Sequence, residues 1–172
     1  MDTPDEKWFR ERLTRFLQIR HPPKQWKERF IERRSVSANA CYCRNLADGI
    51  SESQALRAAD KVLFQGLLFS KFDTVSLILA TDFPSIPENQ RQEVALKLVH
   101  IFAPIFQTYK LGDDFTERLE FRQLKEELRI GIRNWIDENG VPGYRSPVRE
   151  ERRPVSYSNQ PKYRKRNRHR YK

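Results

Sequence analysis

The segment LEFRQLKEELRIGIRNWIDENG, residues 119–140, carries a strong helical pattern. Its large apolar side chains recur mostly every three or four positions, which is the period of one face of an α-helix. Asn139 and Gly140 follow, and these residue types commonly end helices. The apolar face consists of Leu119, Leu124, Leu128, Ile132, Trp135 and Ile136. We therefore predict a long helix with one buried face that ends near Gly140.

Five more helices are predicted upstream of this one. Apolar residues there follow the same period, and proline or glycine separates the segments. Thr3 with Glu6, and Ser51 with Gln54, have the spacing of capping boxes, which place two helix starts. The segments are residues 4–21, 24–48, 51–67, 73–81 and 88–109, the last kinked or restarted at Pro104.

Three places carry more specific expectations. Gly66 lies inside the predicted third helix, where glycine costs about 1 kcal/mol relative to alanine, so we expect it to admit another backbone or to bend the helix. Val75 and residues 77–80 form an almost continuous apolar run, and we interpret it as a helix because no second strand-like segment exists to pair with it. We interpret Asp73 as a helix cap, and likewise either Asp113 or Asp114. Capping explains the adjacent carboxylates of Asp113 and Asp114 without a role in acid catalysis.

These patterns predict an all-α protein. We expect five to six helices in one compact orthogonal bundle over residues 1–140, followed by a disordered basic tail over residues 141–172. The hydrophobic fraction of 38% is sufficient for one core. No apolar run approaches the roughly 20 residues of a membrane helix, and the acidic N-terminus does not resemble an export signal. We therefore expect a soluble, cytoplasmic protein with no membrane-spanning segment.

The net charge of +10 comes almost entirely from the predicted tail. Residues 141–172 contain eleven Lys and Arg against two Glu, which leaves a net charge of +1 for residues 1–140. Within the predicted domain, residues 1–34 carry +4 and residues 35–140 carry −3. The tail also has few aliphatic residues and regularly spaced prolines, which is typical of a disordered segment.

The end of the tail is the densest cluster of cations in the chain. Polycations attract nucleic acids by releasing condensed counterions, and tyrosine rings stack on unpaired bases. We expect contact with single-stranded RNA or DNA, without sequence specificity because phosphate contacts carry none. Two alternatives stay open: the tail binds an acidic protein or membrane surface, or it only solubilises the protein. The predicted contact residues are Lys162, Tyr163, Arg164, Lys165, Arg166, Arg168, Arg170, Tyr171 and Lys172.

No residue pattern indicates an enzyme. The sequence lacks the phosphate-binding, dinucleotide-binding, zinc-protease and serine-hydrolase motifs. Cys41 and Cys43 lack the further ligands that a closed zinc site needs. His21 stands before two prolines and His100 lies between apolar residues, so we expect neither to be catalytic. The sequence therefore predicts no catalytic residue, no metal and no cofactor.

The block VLFQGLLFSKFDTV, residues 62–75, resembles the signature segment of a bacterial family of unknown function, DUF number 1896. The resemblance covers about residues 7–140 and implies a small, helical, cytoplasmic protein of a kind often encoded on conjugative elements in Bacteroidota. It implies no activity, and the basic tail departs from it because members end near residue 140. In the block, Gln65 and Lys71 are the side chains available to a partner or to solvent. Other similar residues are Phe30, Ile31, Arg33, Ser35, Asp113, Asp114, Phe115 and Trp135.

Together these observations predict a non-enzymatic accessory or interaction protein of a mobile genetic element, which contacts nucleic acid through its tail. The alternative is an adaptor that binds an unidentified protein through a helical face of residues 1–48, with the tail incidental.

Overall fold

The structure is a computed structural model that describes residues 4–22, 26–142 and 144. These residues form seven α-helices and a 3-10 turn at Phe115–Glu117, and no strand occurs among them. The all-α prediction is confirmed. The count exceeds six because the predicted restart at Pro104 produces a separate short helix. The helices are α1 Glu6–Arg20, α2 Glu28–Ala47, α3 Glu52–Phe64, α4 Lys71–Asp82, α5 Glu88–Ile101, α6 Ala103–Gln107 and α7 Leu119–Asn139.

The buried side chains form two clusters, whereas the sequence led us to expect a single core. Helices α1, α2 and α3 enclose an N-terminal cluster that includes Phe9, Leu13 and Tyr42. Helices α4 to α7 enclose a C-terminal cluster that includes Leu79 and Leu128. The division falls at residues 65–70, the connection between α3 and α4, since Leu67 belongs to the N-terminal cluster and Phe69 packs against the C-terminal one.

The third helix ends earlier than predicted, at Phe64. Gly66 has a φ of +75°, in the left-handed region that favours glycine. A Cβ atom at this position would meet nothing within 4 Å, so the expected close approach of another backbone does not occur here. Gly66 is a turn residue. The helix end predicted at Gly140 is confirmed, since this residue also has a positive φ, and Gly49 follows the end of α2 with a positive φ as well.

The helix caps differ from the predicted ones. Asp5 caps α1, because its carboxylate accepts a hydrogen bond from the Trp8 amide at 2.8 Å, whereas Thr3, the predicted cap, lies outside the described residues. Ser51 precedes α3 as predicted, but its side chain makes no capping hydrogen bond. The hydroxyl of Ser70, rather than Asp73, caps α4, accepting from the Asp73 amide at 3.0 Å.

Several apolar residues of the predicted helices are exposed, among them Leu77 in the run at 75–80, which is 56% exposed. Leu119 is 75% exposed because it begins α7 ahead of the buried stripe, and Ile101 is exposed at the end of α5. The rest of the α7 face is buried as predicted, apart from a half-buried Trp135.

The described contacts continue slightly beyond the predicted domain boundary. Val141 is buried in the C-terminal cluster, and the Tyr144 ring packs edge-on against Phe83 with 5.9 Å between ring centroids. Residue 143 and residues 145–172 of the predicted tail lie outside the described part of the chain. In the described part, no helix is both long enough and apolar enough to cross a membrane.

Candidate functional site

The nine residues predicted to contact nucleic acid, 162–172 without Asn167 and His169, all lie outside the described residues. The structure therefore gives no geometry for them. The described residues contain two other features with functional potential: a cavity between the two clusters and an open groove along α1.

The cavity is formed where the signature block, residues 62–75, joins the two clusters. Asp113, in the segment between α6 and the 3-10 turn, holds this connection in place. Its Oδ2 atom accepts a hydrogen bond from the Gly66 amide at 2.6 Å, and its Oδ1 atom accepts one from the Leu68 amide at 2.9 Å. The predicted capping role is therefore wrong for Asp113. Asp114 instead pairs with the guanidinium of Arg118, which holds the pKa of Asp114 below its usual value.

The end of α1 supplies a second tie across the same junction. The Nε atom of Arg20 donates to Oδ2 of Asp73 at 2.5 Å, and the Ser70 hydroxyl donates to the carbonyl of Arg20. The Nε2 atom of His21 lies 2.9 Å from the carbonyl oxygen of Leu67, so this nitrogen carries the proton and donates. His21 therefore positions backbone in the junction, a role that its place before Pro22 and Pro23 did not reveal.

These ties enclose a cavity of about 300 Å³. Its walls come from five segments of the chain: the end of α1, the residues before α2, the α3–α4 connection with the start of α4, α5, and residues 111–112. Arg20, His21 and Lys71 are the polar side chains in the wall. The apolar wall consists of Trp26, Leu67, Phe69, Phe72, Val99 and Leu111.

Lys71 is the one cation in this wall that makes no ion pair within the described residues. Its Nζ atom lies 5.3 Å from the centroid of the Phe106 ring, a cation–π contact. The Lys71 side chain is half-buried and the Gln65 side chain is exposed. The side chain of Lys71, which we expected to be available to a partner, therefore lines a cavity rather than an open surface.

The second feature is an open groove on the outer side of α1 and the end of α3. Trp8, Phe16 and Phe64 form its floor, and Ile19 is 58% exposed at its edge. The guanidinium of Arg12 lies over the rings of Trp8 and Phe64, at 4.9 and 5.7 Å. It also donates to Asp60 at 2.8 Å.

Asp60 is the carboxylate that fixes Arg12 in this groove. Burial raises the pKa of Asp60, and the nearby Arg12 guanidinium partly opposes this shift. Arg12 is therefore committed to an internal partner. Arg15, which is exposed and makes no ion pair within the described ranges, is the available cation of the groove.

The residues considered for catalysis or metal binding lie apart. His100 is exposed, and its Nδ1 atom lies 2.8 Å from the carbonyl of Leu96 one turn earlier. Cys41 and Cys43 are free thiols whose neighbours are asparagines of α2. Among the residues that the structure describes, no group of three or more His, Cys, Asp or Glu side chains is arranged to hold a metal ion.

Comparison with known proteins identifies relatives of the described domain. A family model described as "Domain of unknown function (DUF1896)" matches residues 3–141. The fold is similar to the crystal structure of protein PG0816 from Porphyromonas gingivalis, with 32% sequence identity and a TM-score of 0.72. That similarity covers 81% of this chain and 95% of the other. No curated protein matches the chain by sequence.

Proposed function

The chain belongs to the DUF1896 family of domains of unknown function, and from this premise we propose that it is a non-enzymatic accessory protein of a mobile genetic element that binds single-stranded nucleic acid through its C-terminal tail. In this proposal the helical domain is a carrier, and the tail supplies affinity without sequence specificity. A cytoplasmic location is part of the proposal. The mobile-element context rests on the resemblance of residues 62–75 to the family signature.

One observation carries the nucleic-acid proposal: cations are concentrated beyond the family match. Seven of the eleven residues in 162–172 are Lys or Arg, while residues 1–140 carry a net charge of only +1. The family match ends at residue 141, so this charge lies outside what the relatives share. Val141 and Tyr144 pack against the C-terminal cluster, which gives the tail a defined root. A polycation on a nearly neutral domain favours counterion release as the source of affinity.

Fluorescence anisotropy of a labelled single-stranded oligonucleotide tests this proposal with the full chain. Each neutralised phosphate on a single strand contributes a slope of about −0.7 to log K against log salt. About six contacts predict a slope near −4, so affinity falls about 300-fold between about 50 and 200 mM salt. Binding that is absent at low salt, or that ignores salt, would contradict the proposal.

A pair of charge variants separates the terminal cluster from charge in general. One replaces Lys162, Arg164, Lys165 and Arg166 by Gln; the control replaces Arg145, Arg149, Arg152 and Arg153 by Gln and removes the same charge. We expect the first variant to lose more affinity and more salt slope, because charge density governs counterion release. Equal losses would mean that net charge alone matters and that residues 162–172 are not a site.

The tyrosines are tested separately. Replacing Tyr163 and Tyr171 by Leu keeps the charge and removes the stacking surface. Stacking of one base on an aromatic ring contributes about 1–3 kcal/mol, so affinity should fall at least several-fold with an unchanged salt slope. An unchanged affinity would limit the contact to phosphates.

A protein-binding role is the second candidate, and the α1 groove favours it. Ile19 is more than half exposed beside the half-buried Phe16, with the unpaired Arg15 nearby. This surface is complementary to a helix with an apolar ridge and an acidic residue. Such a complex should survive about 0.5 M salt because its contacts are mainly apolar, and Ile19→Asp should abolish it. If removal of the tail abolishes that complex, the tail rather than the groove is the binding site.

A further inference from the structure

We propose that the cavity between the two clusters binds a small aromatic anion, a planar ring that carries one carboxylate or phosphate group. This site is separate from the tail and does not depend on the nucleic-acid proposal.

The cavity has the size and lining of a small-molecule site. Its volume of about 300 Å³ lies at the lower end of the range for ligand pockets. Trp26, Phe69 and Phe72 contribute three aromatic side chains to its wall, and Val99 and Leu111 contribute aliphatic ones. A wall of this kind favours a flat apolar group over a hydrated ion, because aromatic faces pack well against another ring.

The charges of the wall favour an anionic substituent on that ring. Arg20 is paired with Asp73, and the nearby carboxylate of Asp113 is bound by the amides of Gly66 and Leu68. Lys71 contacts the Phe106 ring, and no carboxylate among the described residues pairs with it. A half-buried ammonium attracts an anion more strongly than an exposed one, because the surrounding dielectric is lower.

The position of the cavity predicts a second consequence of binding. Arg20 and His21 belong to the N-terminal half, while Lys71, Phe72 and Val99 belong to the C-terminal half. A ligand in the cavity contacts both halves at the point where Asp113 and Asp73 already connect them. It should therefore stabilise the native state against thermal unfolding, with a Tm that rises with the logarithm of its concentration above the dissociation constant.

The experiment titrates the full chain with phenyl phosphate, benzoate, benzamide and inorganic phosphate, and measures binding by calorimetry and by the shift in Tm. We expect saturable one-site binding below about 1 mM for phenyl phosphate, benzoate or both. Which of the two binds identifies the anionic group. Benzamide, which lacks the charge, and inorganic phosphate, which lacks the ring, should bind about tenfold more weakly or not at all.

Inorganic phosphate also controls for the basic tail, which attracts any phosphate. If it binds as tightly as phenyl phosphate, the signal belongs to the tail and the cavity proposal is overturned. The absence of saturable binding by either aromatic anion overturns it as well. Nucleic-acid binding is measured separately, so failure here leaves that proposal standing.

Two variants place the binding in the cavity. Lys71→Gln should weaken it about tenfold or more, while Lys125→Gln, whose Nζ atom lies 4.9 Å from the Phe121 ring centroid, serves as a matched control and should not. Val99→Phe narrows the cavity and should block binding. If Lys71→Gln binds as tightly as the parent chain while its circular dichroism is native, the proposed site is wrong.

Discussion

Removal of the Asp113 carboxylate should weaken the junction between the two clusters. This carboxylate accepts hydrogen bonds from the Gly66 and Leu68 amides at 2.6 and 2.9 Å, across more than forty residues of sequence. Hydrogen bonds to charged groups contribute about 1.5–3 kcal/mol each. Because Gly66 and Leu68 are exposed and water can replace the carboxylate, we expect the lower part of that range for the pair. Asp113→Ala should therefore lower the free energy of unfolding by about 2 kcal/mol.

Equilibrium urea denaturation followed by far-UV circular dichroism measures this loss. With a slope near 2 kcal/mol per molar urea, typical of a domain of this size, the midpoint should fall by about 1 M. Asp114→Ala is the matched control, since its carboxylate pairs with Arg118 four residues later on the surface, and its midpoint should stay close to that of the parent chain. Equal midpoints for the two variants would refute the role assigned to Asp113. A reduced slope for Asp113→Ala would show instead that the two halves unfold separately.

Three further predictions concern local structure. Gly66→Ala should destabilise the fold by about 1–2 kcal/mol, because a Cβ atom is unfavourable at a φ of +75°, and an unchanged urea midpoint would contradict the turn described at this residue. Arg12→Gln should raise the pKa of Asp60 further above its ordinary value of 3.8, because the nearby positive charge is removed. The free energy of unfolding should then fall more as the pH rises from that value through the folded-state pKa. Carboxyl NMR titration measures the shift, and an unchanged pKa would exclude the ion pair. Truncation after Gly140 should lower the free energy of unfolding by about 2–3 kcal/mol relative to truncation after Tyr144, because it removes the buried Val141 and the aromatic contact of Tyr144. Urea denaturation measures the difference. Equal midpoints would place the end of the folded unit at residue 140.

The helices were predictable because their information is local. The apolar period of residues 119–140 identifies α7, and the apolar run at 75–80 lies in α4, where Val75, Ile78 and Leu79 are buried. Leu119 was misassigned because a periodic pattern does not show where burial begins. The cap of α4 was misassigned because several polar residues near a helix start satisfy the same rule, and geometry selects Ser70 over Asp73.

The long-range features were not predictable from one sequence. Gly66 was expected to admit a close neighbour, but the close approach occurs at Gly131, where a Cβ atom would lie 2.7 Å from the Phe102 ring. The role of Asp113 depends on amides more than forty positions away, so no local pattern indicates it. The cavity between the clusters is also built from five separate segments, and only Lys71 had been noted as available to a partner.

For the tail, the hypothesis of nucleic-acid binding rests on amino-acid composition alone. Its nine proposed contact residues were identified from charge density and tyrosine content, and they lie outside the described residues. The structure adds the root of the tail, since Val141 and Tyr144 pack on the C-terminal cluster. This root sets the position at which a truncation can remove the tail without removing contacts of the domain.

The most direct measurement is therefore the salt dependence of single-stranded oligonucleotide binding by the full chain, compared with the chain truncated after Tyr144. We predict that the full chain binds with a slope of log K against log salt near −4, and that the truncated chain does not bind. Equal binding by the two chains, or a salt-independent affinity of the full chain, would contradict it.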